Sequence, residues 1–149
     1  MFSKILIATD GSDLAGKGLE HGLKLAKSLG SSVIVVTVTE PWVAIGAEAA
    51  IGWSGFDNPI SEYEKACAAS AKEILDAAGK KAKAAGVEAK VLHVADRYPA
   101  EGIVSAQEAE GADLIVVASH GRRGLGRLLL GSQASQVLTH TKVPVLVVK

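Results

Sequence analysis

The side chains with the most chemical reach gather in two glycine-bearing stretches. Thr9-Asp10-Gly11-Ser12-Asp13, near the start, sets a carboxylate beside a turn. The second, in the last third, is Ala118-Ser119-His120-Gly121-Arg122-Arg123-Gly124-Leu125-Gly126-Arg127-Leu128-Leu129-Leu130-Gly131-Ser132. Its spacing suits a backbone cradle for phosphate groups. Gly121, Gly124 and Gly126 allow positive φ and a close approach of main chain to a ligand. Gly131-Ser132 reads as a hydroxyl N-cap with free N–H groups at a helix start, where an anion is favoured. Arg122, Arg123 and Arg127 add positive charge nearby.

Plainer readings stand beside that one. Asp10 and Asp13 also suit a helix start, which favours acids, and the Arg122–Arg127 run also suits a solvated loop. His120 has no Ser or Cys nucleophile with an orienting acid that sequence alone can place, so it reads as orienting the loop rather than as a catalyst. Gly11-Ser12-Asp13-Leu14-Ala15-Gly16-Lys17-Gly18 is one residue short of a Walker A loop. Gly18 stands where that motif needs Ser or Thr, and the helical period already begins by Leu14. No set of His, Cys, Asp and Glu has structural-metal spacing.

These stretches must be carried by a fold. The chain has 149 residues, 48% hydrophobic and 21% charged, with 16 basic and 16 acidic side chains. One globular domain over 1–149 is the simplest expectation. The even charge gives no sign of a nucleic-acid partner. No apolar run reaches membrane-spanning length, and the opening apolar run is too short for a signal-peptide core. The lone Cys67 suits a reducing compartment, so the expectation is a cytoplasmic protein with no membrane partner.

Continuous apolar runs at Lys4–Thr9, Ser32–Val38 and Leu114–Ala118 read as strands buried on both faces of a parallel sheet, Val143–Val148 reads as an apolar strand at the sheet edge, and Val87–Val94 alternates as a further strand. Leu14, Gly18, Gly22, Leu25 and Leu29 recur at helical spacing until Gly30. The helical glycines are tolerable where a helix packs closely on a sheet. Ile60, Tyr63, Cys67, Ala71, Ile74, Ala78, Ala82 and Ala85 mark the longest helix, with Cys67 expected in the core. Tyr98–Glu110, with Pro99 in its first turn, and Ser132–Thr141 complete the helices. Thr39–Pro59 has no period and reads as a lid, a binding loop or a surface excursion.

Alternation at this spacing builds βαβ units. Right-handed crossovers then favour an α/β, Rossmann-like doubly wound five-stranded parallel sheet of order 3-2-1-4-5, with helices on both faces. Ligands of such sheets lie beyond the strand carboxyl ends, where the winding reverses. That point falls between strands one and four, where Thr9-Asp10-Gly11 and Ala118-Ser119-His120-Gly121 emerge.

The whole chain resembles the universal stress proteins. The likeness lies in Ile5-Leu6-Ile7-Ala8-Thr9-Asp10-Gly11-Ser12, Val38-Thr39-Glu40-Pro41, the closing Gly-rich stretch and Val143-Pro144-Val145-Leu146-Val147-Val148. The nucleotide-binding branch of that family carries Gly, two residues, Gly, nine residues, then Gly with Ser or Thr. Gly121, Gly131 and Ser132 match, while the first position is Ala118. Relatives also often carry Gly two residues before Pro99, where this chain has Arg97, and many carry Glu at Ser135.

The resemblance implies a stress-response protein that binds ATP or another adenine nucleotide, with Mg²⁺. Ala8 and Thr9 would flank base and ribose, the Val38 backbone would recognise adenine, and Ala118 and Gly121 would line ribose and phosphates. Gly131, Ser132 and Gln133 would donate to phosphates, Arg122 would contact them, and Asp10 would contact the nucleotide or its metal. It further implies a homodimer built on strand 143–148. The residues add loop 39–59 as a surface for a protein partner. Binding or signalling is expected rather than fast turnover, with at most slow hydrolysis or self-phosphorylation, and no residue is assigned as catalytic. Two other readings are a dimeric interaction module that binds no nucleotide, and an ATP-using enzyme of a related Rossmann-like group.

Overall fold

The computed structural model describes residues 1–43, 59–122 and 130–149. Among the described residues nine elements follow in chain order: β1 (Lys4–Ala8), α1 (Asp13–Leu29), β2 (Ser32–Val38), α2 (Pro59–Ala85), β3 (Ala89–Val94), α3 (Pro99–Glu110), β4 (Leu114–Ala118), α4 (Ser132–His140) and β5 (Val145–Val148). The strands form one sheet of order β3-β2-β1-β4-β5, every pair parallel. The doubly wound α/β fold expected from the sequence is the fold observed. Ile5 lies opposite both Val33 and Leu114, so β1 is the central strand.

Alternation along the strands splits the core in two. Ile5 and Ile7 of β1, Val33 and Val35 of β2, and Leu114 and Val116 of β4 pack under α1 and α2. Leu6, Ile34, Val36, Ile115 and Val117 pack under α3 and α4. Nine of these large side chains or their neighbours are fully buried, among them Ile5, Leu6, Ile7 and Ile115. Each such burial stabilises by roughly 1.5–3 kcal/mol, so the middle of the sheet is the rigid base of the molecule.

Several sequence expectations shift in detail. The buried face of α1 is Ala15, Gly18, Leu19, Gly22, Leu23 and Ala26, so of the expected row Gly18 and Gly22 are buried and Leu25 packs against the core. Leu29 is exposed. The close packing expected of the helical glycines is real at Gly22, where an added Cβ would lie 2.5 Å from Ile7 Cδ1. In α2 the buried residues are Ala71, Leu75, Ala78 and Ala82. The helix begins at Pro59, which was expected to end the preceding loop. Its first turns lie at the rim, so Ile60 is exposed and Cys67 is half-buried rather than core. Residues 44–58, which hold most of the expected lid or partner loop, lie outside the described residues.

Helix ends follow ordinary capping chemistry. Ser12 accepts the Ala15 N–H and starts α1. Gly30 and Gly111 end α1 and α3 in left-handed conformation, φ 69° and 65°, which glycine adopts at no steric cost. Among the described residues no helix is long and apolar enough to cross a membrane.

Candidate functional site

Strand β1 ends at Ala8, and the next residues form a ladder of side-chain caps. Thr9 Oγ1 accepts the Gly11 N–H at 3.3 Å, and Asp10 Oδ1 accepts the Ser12 N–H at 3.0 Å. The Asp10 carboxylate also reaches across the winding reversal, where its Oδ2 accepts the Arg122 N–H at 2.8 Å. Half-buried Asp10 therefore joins the loop after β1 to the loop after β4.

Gly121 fits this crossing for a steric reason. An added Cβ would lie 2.9 Å from Asp10 Oδ2. Its φ is not positive, since among the described residues the glycines with positive φ are Gly11, Gly30, Gly86 and Gly111. Close approach, not backbone handedness, makes the position small. Gly124 and Gly126, with Arg123 and Arg127, lie outside the described residues.

Helix α4 starts one residue earlier in its capping than expected. Gly131, at φ −68° and ψ 156°, is the N-cap and makes no side-chain capping bond, and Ser132 is the first helical residue. Gly131 N–H donates to the Ser119 carbonyl at 2.6 Å, and its own carbonyl accepts the Ser135 N–H. A Cβ at Gly131 would lie 2.7 Å from that Ser119 oxygen, so a hydroxyl-bearing cap cannot sit there. The tight seat brings the α4 N-terminus against the end of β4. The N–H groups of Ser132, Gln133 and Ala134 have no acceptor within the helix.

Around these elements lies a cleft of about 450 Å³. Ala8, Thr9, Asp10, Val38, Ala118, Gly121, Arg122, Gly131, Ser132 and Gln133 all line it. These ten residues, to which the resemblance gives nucleotide contacts, thus border one space at the carboxyl ends of β1, β2 and β4. The sequence reading had passed over Thr37, Ile74, Ile103 and Val137, which line it too. Buried Thr37 donates its hydroxyl to the Thr9 carbonyl at 2.8 Å. A lone Thr inside the valine run of β2 was the available signal. Val38 packs against α3, since a Cβ at Gly102 would lie 2.6 Å from Val38 Cγ1.

Gln133 is partly committed elsewhere, because its Oε1 accepts the Ala100 N–H at 3.1 Å. It thereby caps α3, whose N-cap Tyr98 makes no side-chain bond. His120 Nδ1 lies 3.0 Å from Ser119 Oγ. Its Nε2 is buried without a hydrogen-bond partner. Ala118 keeps an ordinary β backbone, and strand alternation sets its side chain on the α1 face, where Gly18 leaves room beside its N–H. The supposed Walker A residues from Asp13 onward are helix. Among the described residues no group of three or more His, Cys, Asp or Glu is placed to hold a metal ion.

The family model for the universal stress protein family matches residues 1–149. This chain belongs to the universal stress protein family. Universal stress protein MJ0531 of Methanocaldococcus jannaschii is 33% identical over 149 residues, which is 100% of this chain and 83% of that protein. The solved structure of MJ0577, from the same organism, superposes with a TM-score of 0.81 at 30% identity, covering 100% of this chain and 96% of that one. Two more distant members share the fold. One, in complex with cAMP, has a TM-score of 0.70 at 24% identity and covers 98% of this chain and 95% of that one. The other, from Archaeoglobus fulgidus in complex with dAMP, has a TM-score of 0.69 at 23% identity and covers 99% and 98%.

Proposed function

We propose that this universal stress protein binds ATP or another adenine nucleotide in the cleft at the winding reversal, and acts by binding or signalling. The observation that carries the reading is the seat of α4. Gly131 brings a helix N-terminus with free N–H groups to the end of β4, an arrangement that favours a phosphate. The half-apolar cleft beside it, between Val38 and Val137, suits a base and sugar. The cAMP and dAMP complexes of distant relatives add support for an adenine nucleotide of some kind.

In that reading Ser132 and Gln133 give N–H donors to the phosphates, Arg122 adds charge, and Ala8, Thr9 and Ala118 flank the ribose. The Val38 backbone meets the base. Mg²⁺ would share the remaining lone pairs of Asp10 with phosphate oxygens, since this ion commonly binds through one or two carboxylates and its phosphates. When bound, it neutralises phosphate charge. We further propose a cytoplasmic location and a homodimer through the β5 edge. Residues 39–43 would contribute to a protein-partner surface continuing into loop 39–59.

The test is nucleotide retention. Protein purified without added nucleotide is denatured and the released small molecules are identified by mass spectrometry, before and after incubation with Mg·ATP and gel filtration. Near-stoichiometric adenine nucleotide is expected. No release, together with silent calorimetry up to millimolar ATP, refutes the proposal and leaves the interaction-module reading.

A further inference from the structure

We propose that Asp10 is a positioning residue: it serves the nucleotide by holding the Gly121–Arg122 segment, independently of any metal. The inference rests on the nucleotide reading above for its ligand, but the contact itself exists without one. Asp10 Oδ1 is held by the Ser12 N–H at 3.0 Å, and Oδ2 by the Arg122 N–H at 2.8 Å. The carboxylate is thus oriented by backbone on both sides of the winding reversal, 112 residues apart in sequence for the second bond. A carboxylate accepting backbone N–H groups makes bonds roughly twice as strong as neutral pairs.

The surrounding packing is built around this bond. Gly121 leaves room for the carboxylate, as its 2.9 Å Cβ approach to Oδ2 shows. Arg122 then folds its guanidinium back over the first loop, with Nη2 3.2 Å from the Cβ that Gly11 lacks. Ile74 of α2 closes the other side of Gly11, where Cγ1 would be 2.9 Å from the same Cβ. The loop after β1, the loop after β4 and α2 therefore meet around Asp10 and Gly11. Releasing Asp10 frees the Gly121–Arg122 segment where it borders the cleft, and the Arg122 N–H loses its fixed direction.

Asp10→Asn separates this role from metal ligation. The amide keeps one acceptor oxygen, but its NH₂ cannot accept the second N–H. In the nucleotide-free protein, the Arg122 amide is expected to exchange with solvent faster in D10N than in the wild type. Nucleotide affinity should fall by about tenfold, the scale of one lost hydrogen bond to a charged group, and a loss of that size should remain in EDTA, where no metal ligation contributes. Gly121→Ala attacks the contact from the other side and should give the same pattern. The double variant should lose little more than either single one, as residues sharing one contact are non-additive. Melting curves of each variant establish that it is folded.

Unchanged Arg122 exchange in both folded variants overturns the proposal. So does an affinity loss confined to Mg²⁺, which assigns Asp10 to the metal. If the wild type binds no nucleotide under either condition, the nucleotide reading fails, and the exchange rates alone decide whether Asp10 holds the loop.

Discussion

At the scale of single residues, the site is shaped more by what is missing than by reactive groups. Gly131 is the clearest case. Ala at that position would force its Cβ to 2.7 Å from a backbone oxygen and 3.4 Å from the His120 Cα, neither of which can swing aside as a side chain can. Overpacking of this kind costs typically about 1–3 kcal/mol. Gly131→Ala is therefore expected to lower the melting temperature in calorimetry and to weaken nucleotide binding, because α4 must retreat from β4. An unchanged melting temperature would show that the helix start has slack. The motif spacing pointed to Gly131, Gly121 and Ser132, and of its two reasons for Gly121, positive φ and close approach, the second holds. Gly121 has no positive φ and Ser132 is not the cap. Close approach and φ freedom both select glycine, so sequence alone does not separate them.

At the scale of elements, the sheet order was legible because continuous β-branched runs alternate with helical periods, and right-handed crossovers leave few arrangements. The helix faces were less legible. In α1 the small residues Ala15, Gly18, Gly22 and Ala26 go inward with Leu19 and Leu23, and at Gly22 close contact with Ile7 requires the small residue. The ends of elements depend on bonds from distant residues, which no local period records. Asp113, just before β4, is one. Its carboxylate accepts the Ser3 N–H at 2.9 Å, the Ser3 hydroxyl at 2.7 Å and the Lys4 N–H at 3.0 Å, and so ties the start of β1 to the start of β4. Desolvation pushes its pKa up, but the donated hydrogen bonds outweigh that and hold it below the ordinary value. A lowered folded-state pKa means that the contribution is present above the unfolded pKa of about 3.9 and is lost as pH falls through the folded one. Asp113→Asn should therefore be less stable than the wild type at pH 7. The two melting temperatures should converge as the buffer is taken into the acid range where the wild-type carboxylate protonates. Parallel profiles across that range would exclude a role for the charge.

At the scale of the whole molecule, the remaining question is what covers the free edge of β5. Pro144 and Val148 give their carbonyls to Ile115 and Ser119, so the parallel ladder turns the N–H and C=O of Val145 and Val147 away from β4. Leu138 and Leu146 are exposed beside this edge. An apolar strand with unpaired backbone groups is a template for pairing, and two copies related by a twofold axis would pair antiparallel and satisfy both edges. That is the homodimer proposed here. Val147→Pro tests it without touching the fold of the subunit. Proline is tolerated on an edge strand where its missing N–H faces outward, and the bonds from β5 to β4 use the alternate residues. Sedimentation at micromolar concentration should give a dimer for the wild type and a folded monomer for V147P. A monomeric wild type refutes the dimer, and a V147P dimer moves the interface to another surface. A dimer through β5 would also bear on the nucleotide cleft, because Ser119 donates its N–H to Val148 and accepts from Gly131. The edge strand and the helix start are thus fastened to the same residue, and loosening the edge in V147P should lower nucleotide affinity only if dimerisation stiffens that shared point.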